Sequence, residues 1–147
     1  MSHVVKLELE IKDLIALKAA AKMLGMEFRE GQKTYNWWGH SVGDYPLPEG
    51  FTAKDLGKCE HALSIPDKSD AYEVGVVKRR DNRPGYTLLW DFYGGGRGLV
   101  AKIGKDGCKI KQAYAESVAS LALKKKGFKI QRSVNKETGK VVLTAVK

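Results

Sequence analysis

The chain has 147 residues and a formal net charge of +9, with 43% hydrophobic and 29% charged residues. This length predicts a single domain, residues 1–147, that buries about two thirds of its unfolded surface and needs no disulfide framework. The chain has two cysteines, no leading apolar run and no apolar stretch near the roughly 20 residues of a membrane span, which predicts a cytoplasmic protein with reduced thiols and no membrane contact.

The positive charge is concentrated in the last third of the chain. Residues 97–147 contain thirteen of the 26 Lys and Arg residues but only three of the 17 Asp and Glu residues. Clustered positive charge attracts phosphates and speeds encounter with them, so this asymmetry predicts a polyanionic partner. The alternative is a lysine-rich face that only maintains solubility.

The N-terminal segment predicts a strand, a helix and a second strand. Apolar and charged residues alternate between residues 3 and 11, as in a half-buried strand. Asp13 offers its carboxylate to the free amides of a following helix, which Gly25 ends by taking a left-handed conformation. Residues 26–30 then form the short second strand. The predicted buried stripe of the helix consists of Leu14, Leu17, Ala21 and Leu24.

Residues 34–70 do not follow this pattern. Pro46 and Pro48 prevent a regular central strand, so the segment is predicted to be an ordered loop or an inserted flap. Long loops within compact domains often carry function.

The flap contains an aromatic group formed by Trp37, Trp38 and Tyr45 together with His40. This group is predicted either to stack on bases or to anchor a protein partner. The alternative is that one or both tryptophans fold back over the sheet. Neighbouring side chains of an extended segment point in opposite directions, so one tryptophan can pack while the other stays available.

A central antiparallel hairpin is predicted from residues 72–77 and 86–93, which are rich in aromatic and branched side chains. Its second arm carries large apolar groups on both faces, which indicates a central strand covered on both sides. Four basic residues lie at the hairpin tip: Lys78, Arg79, Arg80 and Arg83. They suit phosphate recognition, or they form a solvated turn that discourages pairing between sheet edges.

The glycine-rich run at residues 94–98 is only superficially similar to a phosphate-binding loop. Its spacing matches neither the Walker motif nor the dinucleotide-binding fingerprint, and no clear helix is expected directly after it. The run is therefore predicted to be a flexible connection, with Arg97 as its one residue of chemical interest.

The C-terminal third predicts a helix over residues 111–126 and strands over residues 128–132 and 141–146. The expected apolar face of the helix consists of Ala115, Val118, Ala119 and Ala122. Three lysines end the helix, where they complement its dipole or extend a basic face. The expected fold class is α+β: a mainly antiparallel sheet with two helices on one face, in a split β-α-β (ferredoxin-like) arrangement with a long inserted loop.

Catalytic and metal sites are not predicted. Cys59 and His61, with His40 and Cys108 elsewhere, could supply four zinc ligands, but structural zinc sites usually contain two close pairs and the sequence has only one. A general acid and base would meet only if the flap folds over the sheet. The side chains considered for those roles are His40, Asp44, Glu49 and Asp91.

Several short motifs resemble an uncharacterised family known as hypothetical chloroplast frame thirty-five, or domain of unknown function twelve fifty-seven, which occurs in cyanobacteria, algal plastids, other bacteria and phages. The motifs are MSH at residues 1–3, DLxxL at 13–17, YEVG at 72–75, QAYA at 112–115, GF at 127–128 and GKVVL at 139–143. The resemblance implies a small α+β domain of phage or bacterial type, and it brings no activity, cofactor or site residue. The chain departs from the family pattern in residues 34–70 and in its arginine-rich hairpin tip.

These observations predict a non-catalytic binding protein that recognises nucleic acid or another phosphate-bearing ligand through a basic surface, without a cofactor or metal. Two alternatives stay open: a protein-interaction or homo-oligomeric assembly module anchored by the aromatic flap, and a small enzyme of unknown reaction. The predicted ligand-binding residues are Trp37, Trp38, His40, Lys78, Arg79, Arg80, Arg83 and Arg97.

Overall fold

A computed structural model describes residues 3–39 and 45–147 and, for Glu8, the backbone alone. The elements in chain order are β1 (Val4–Ile11), α1 (Leu14–Met23), β2 (Glu27–Arg29), β3 (His61–Ser64), β4 (Val74–Lys78), β5 (Tyr86–Asp91), α2 (Leu99–Ile103), α3 (Cys108–Lys125), β6 (Lys129–Val134) and β7 (Val141–Val146). The α+β class is confirmed. No helix in these described ranges is long and apolar enough to cross a membrane.

The main sheet has five strands in the order β1-β5-β4-β3-β2, and every adjacent pair is antiparallel. The predicted central hairpin is confirmed as β4 and β5, with Gly75 opposite Leu89. Leu88 and Trp90 of β5 are buried on one face of the sheet, and Leu89 is buried on the other. The sheet is therefore covered on both faces.

Helices α1 and α3 cover one face of the sheet. Leu17 of α1 and Ile110 of α3 are fully buried in the same cluster as Val76 and Leu88. Asp13 caps α1 as predicted, since its Oδ1 accepts a hydrogen bond from the Ala16 amide at 3.1 Å. Two residues of the buried stripe predicted for α1, Leu14 and Leu24, are only partly buried. The fully buried residues of α1 are Ala16, Leu17, Ala20 and Ala21.

The inserted segment covers the opposite face of the sheet. Tyr35, Phe51 and Leu56 are buried there against Val77 and Leu89. The segment also contributes β3, which lies between β2 and β4, so residues 61–64 belong to the sheet and not to a flap. Pro46 and Pro48 lie well before β3 and do not interrupt it. Much of residues 34–70 is therefore core cover.

The buried face of α3 differs from the predicted one. The stripe expected to be buried (Ala115, Val118, Ala119 and Ala122) is exposed. The residues buried instead are Ile110, Ala113, Tyr114 and Ser117. The Tyr114 side chain accounts for this difference in the buried face of α3. Its hydroxyl accepts hydrogen bonds from the Lys12 and Asp13 amides at 3.0 and 3.1 Å, which turns this side of the helix toward the start of α1.

The expected split β-α-β arrangement is found in the first half of the chain and not in the second. Strands β1 and β2 do form a split β-α-β unit, at opposite edges of the main sheet. Strands β6 and β7, however, pair only with each other, in a separate two-stranded sheet. The turn at residues 135–139 joins them, and closing so short a loop costs little entropy, which favours local pairing.

Candidate functional site

Arg79, at the tip of the central hairpin, is held by two carboxylates of the same chain. Its Nη1 lies 2.9 Å from Glu10 Oε1, and its Nε donates to Asp81 Oδ1 at 3.0 Å, while Nη2 contacts the other oxygen of Asp81. These hydrogen bonds from Arg79 lower the pKa of both carboxyl groups. The guanidinium is therefore engaged inside the fold and is not offered to a phosphate.

Other cations at the tip also have acidic neighbours. The Arg80 guanidinium lies over the Phe51 ring at 4.8 Å and is 3.9 Å from Asp55. Arg83 is highly exposed, yet its Nη1 lies 3.7 Å from Glu10. The groove beside them, about 360 Å³ in volume, mixes acidic and basic side chains. Acidic neighbours therefore offset much of the positive charge of the hairpin tip, although Lys78 is exposed.

The two adjacent tryptophans have different environments. Trp37 is half-buried against the flap side of the sheet, and its indole packs so closely on Gly57 that an added Cβ would lie 2.3 Å from Nε1. Trp38 is 43% exposed. One tryptophan thus covers the fold and the other faces solvent. His40, predicted beside them, lies outside the described residues, as does Asp44.

An aromatic cluster surrounds His3. Its ring stacks on Tyr45 at 4.8 Å, contacts Phe92 at 5.3 Å and meets Tyr93 edge-on at 5.2 Å. Tyr45 and Tyr93 keep 37% and 43% of their surface exposed. Sequence reasoning identified Tyr45 and missed the other three. The sequence does show an aromatic pair, Phe92 and Tyr93, directly after Asp91. That this pair lies beside His3 is visible only in the tertiary structure.

Asp91 is fully buried and serves as an acceptor for backbone amides. Its Oδ1 accepts from the His3 and Tyr93 amides at 2.9 and 3.1 Å, and its Oδ2 accepts from the Trp38 amide at 3.1 Å. Both oxygens are engaged in joining three segments of chain. The geometry assigns Asp91 a structural role and not that of a general acid or base.

The pair considered as zinc ligands is also engaged in the fold. Cys59 Sγ donates to the Gln32 carbonyl at 3.2 Å, and burial raises the pKa of this thiol to about 12. His61 Nδ1 accepts from the Gly31 amide at 2.9 Å. Within residues 3–39 and 45–147, no group of three or more His, Cys, Asp or Glu side chains is arranged to hold a metal ion.

The glycine-rich run forms a left-handed turn, and α2 begins directly after it, contrary to the prediction. Gly94, Gly95, Gly96 and Arg97 have φ values of 62°, 67°, 64° and 55°. The Gly96 carbonyl accepts a hydrogen bond from the Tyr72 amide at 3.0 Å, which ties the turn to the sheet. Arg97 is exposed and lies over the Tyr72 ring at 5.5 Å.

The C-terminal ribbon, which we define as β6, β7 and their connecting turn (residues 129–146), has two distinct faces. Its inner face lies against α3, where Ile130, Val141 and Leu143 are half-buried and Arg132 forms an ion pair with Glu116. Its outer face is exposed at every position. That outer face consists of Lys129, Gln131, Ser133, Val142, Thr144 and Val146.

Exposed lysines surround the ribbon. They are Lys124, Lys125, Lys126, Lys129, Lys136 and Lys140. Among the residues that the structure describes, none of these six forms an ion pair, in contrast to the arginines of the hairpin tip. Lys147 lies over the Phe128 ring at 5.6 Å. The described part of the chain therefore gathers six lysines without ion pairs within residues 124–140, a region that sequence reasoning identified as basic but did not name as the site.

Comparisons with known proteins add no assignment to this geometry. No protein-family model, curated protein or solved structure gives a match to this chain. The family resemblance drawn from the short motifs stays a prediction.

Proposed function

We propose that this protein is a non-catalytic nucleic-acid-binding module whose contact surface is the C-terminal ribbon together with the end of α3. The observation that supports the proposal is the group of six exposed lysines that form no ion pair with any residue the structure describes. Binding would release the counterions condensed on the phosphates, and this release favours association. Lysines without ion pairs contribute most to it. A cytoplasmic location, where nucleic acids are accessible, belongs to the same proposal.

The residues predicted to bind ligand contribute unequally to the proposed binding of nucleic acid. Arg79 contributes to folding, because its guanidinium is already bound by Glu10 and Asp81. Lys78, Arg83 and Arg97 remain exposed and supply secondary phosphate contacts. The lysines of the C-terminal ribbon provide the main electrostatic attraction.

A binding titration with a matched charge control tests this function. Fluorescence anisotropy measures affinity for a labelled duplex of about 20 base pairs, and for one of its strands, from about 50 to 200 mM salt. One variant carries Lys→Gln changes at Lys124, Lys125 and Lys126. The control carries the same change at three exposed lysines of the first half of the chain that pair with no acidic group in the described residues: Lys22, Lys33 and Lys54.

The two variants have the same net charge, so only the position of the lost charge differs. We expect the first variant to lose at least about tenfold in affinity at about 50 mM salt and to reduce the slope of log K against log salt by roughly 2 to 3. We expect the control to change affinity less than about threefold. No association at about 50 mM salt, or equal losses in both variants, would refute the proposal.

A second candidate function is protein docking or homo-oligomerisation through the aromatic cluster. The exposed fractions of Trp38, Tyr45 and Tyr93 favour it, because exposed aromatic side chains commonly anchor interfaces. Sedimentation over a range of concentrations tests self-association. If the protein stays a monomer, and if the double variant Trp38→Ala and Tyr93→Ala captures the same partners as the wild type, this candidate is rejected.

A further inference from the structure

We propose that the outer face of the C-terminal ribbon enters the major groove of double-stranded DNA and contacts the edges of the bases. This inference rests on the proposed nucleic-acid binding and specifies its form: the partner is a B-form duplex, and the six outer-face residues read it. The other five exposed lysines around the ribbon bind the phosphates.

The dimensions of the ribbon match those of the groove. Two paired strands lie about 4.8 Å apart and rise about 3.4 Å per residue, so the six-residue strands β6 and β7 form a ribbon about 20 Å long. The major groove of B-DNA is about 12 Å wide and admits a two-stranded ribbon with its side chains. At about 3.4 Å per base pair, the ribbon spans roughly six base pairs.

The ribbon is free to be inserted. Its two strands pair with each other, and its inner side is turned toward α3, where Gln112 Nε2 donates to the Gly139 carbonyl at 3.5 Å. The register places Gln131 opposite Thr144 and Ser133 opposite Val142, so these four side chains form one continuous exposed patch. An isolated two-stranded sheet of this kind is marginal in water, and α3 supports only its inner side.

The chemistry of this patch is that of base-edge contacts. A glutamine side chain bonds the N6 and N7 of adenine in a bidentate way, and serine or threonine hydroxyls bond several base edges. Val142 and the methyl group of Thr144 match the C5-methyl group of thymine, and Lys129 suits guanine O6 and N7. A surface that only maintained solubility would not require this mixture of amide, hydroxyl, methyl and ammonium groups on one face.

The lysines lie at both ends of the ribbon, where phosphates would flank the groove. Lys124, Lys125 and Lys126 directly precede β6, and Lys136 and Lys140 lie at its turn. Phosphate contacts of this kind set the position and register of a protein on DNA without reading its sequence. The A-form helix of RNA has a major groove too deep and narrow for side chains to read, so duplex DNA is the favoured partner.

Two measurements on the wild-type protein test the site without depending on any variant. The first compares affinities for duplex DNA, duplex RNA and single-stranded DNA of equal length, with an expected preference of at least about tenfold for duplex DNA. The second adds groove-specific competitors. Methyl green, which occupies the major groove, is expected to displace the protein, and netropsin, which occupies the minor groove, is expected not to.

A selection from randomised duplexes then tests reading by the outer face. We expect enrichment of a motif of about six base pairs. The double variant Gln131→Ala and Thr144→Ala is expected to lose at least about tenfold in preference for that motif while keeping the salt slope of the wild type. The matched control replaces two exposed polar residues outside the ribbon and α3, Thr34→Ala and Ser69→Ala, and is expected to retain the preference.

The outcomes separate this inference from the proposed function. If no nucleic acid binds at about 50 mM salt, both fail. If binding depends on the lysines at residues 124–126 but duplex DNA, duplex RNA and single strands bind within about threefold of one another, only the inference fails. Displacement by netropsin instead of methyl green also overturns it. So does a dimer that the change Val142→Lys converts to a monomer, because a second copy would then cover the outer face.

Discussion

Replacement of Asp91 provides the sharpest test of how this fold is held together. The carboxylate is fully buried and accepts three backbone amides, from His3, Trp38 and Tyr93. The change Asp91→Ala removes both acceptor oxygens and with them all three hydrogen bonds. Asp91→Asn keeps one oxygen, which can serve the His3 and Tyr93 amides, but places an NH₂ group opposite the Trp38 amide.

The magnitude follows from the number of amides left without a partner. Each such amide lowers the free energy of unfolding by about 1 to 3 kcal/mol when it cannot reach water. Because these segments are partly exposed, the total for Asp91→Ala is expected in the lower part of the summed range, at about 3 to 5 kcal/mol. Asp91→Asn loses one such bond, so the free energy of unfolding falls by about 1 to 3 kcal/mol. Typical domains have only about 5 to 15 kcal/mol of stability, so the alanine variant is expected to be barely stable.

Urea unfolding followed by tryptophan fluorescence measures both changes. With an m-value of about 2 kcal/mol/M, the midpoint for Asp91→Ala is expected to fall by roughly 2 M, and that for Asp91→Asn by about half as much. Asp70→Ala, at an exposed position, serves as the control and should stay within about 0.5 kcal/mol of the wild type. If Asp91→Ala costs less than about 1 kcal/mol, or if asparagine costs as much as alanine, the role assigned to this carboxylate is incorrect.

Two further predictions concern the flap side of the sheet and the thiols. Gly75→Ala would place a Cβ 2.4 Å from the Tyr35 ring, so this change is expected to lower the free energy of unfolding by about 1 to 3 kcal/mol, measured by urea denaturation. An unchanged midpoint would mean that the ring does not pack on this strand. At pH 8 only the exposed Cys108 is expected to react with a thiol reagent, because burial raises the pKa of Cys59 to about 12. Rapid modification of two thiols in the native protein would contradict that burial.

Elements defined by neighbouring residues were predictable from the sequence. The alternation in β1, the Asp13 cap of α1 and the strands of the central hairpin all occur where the local pattern indicates. Each depends on interactions over a few residues, such as a side-chain oxygen with the amide three positions later. Local preferences of this kind act in the same way whatever the rest of the chain does.

Features that depend on distant partners were missed. The hairpin tip was expected to be cationic, yet Glu10, which is far from Arg79 in sequence, neutralises it in space. The buried face of α3 was misassigned because the Tyr114 hydroxyl bonds the start of α1. No periodicity within either segment contains information about these contacts.

By itself, the sequence determined the α+β class, the positions of α1, of α3 and of every strand except β3, and the excess of positive charge near the C-terminus. These follow from side-chain pattern and formal charge, which are properties of residues close together in the chain. Only the tertiary structure decided which charges remain without partners, which tryptophan is covered, and that β6 and β7 form a separate ribbon with an exposed outer face. Ion pairing, burial and strand pairing join residues that are remote in sequence, and their free energies exist only once the chain has brought those residues together.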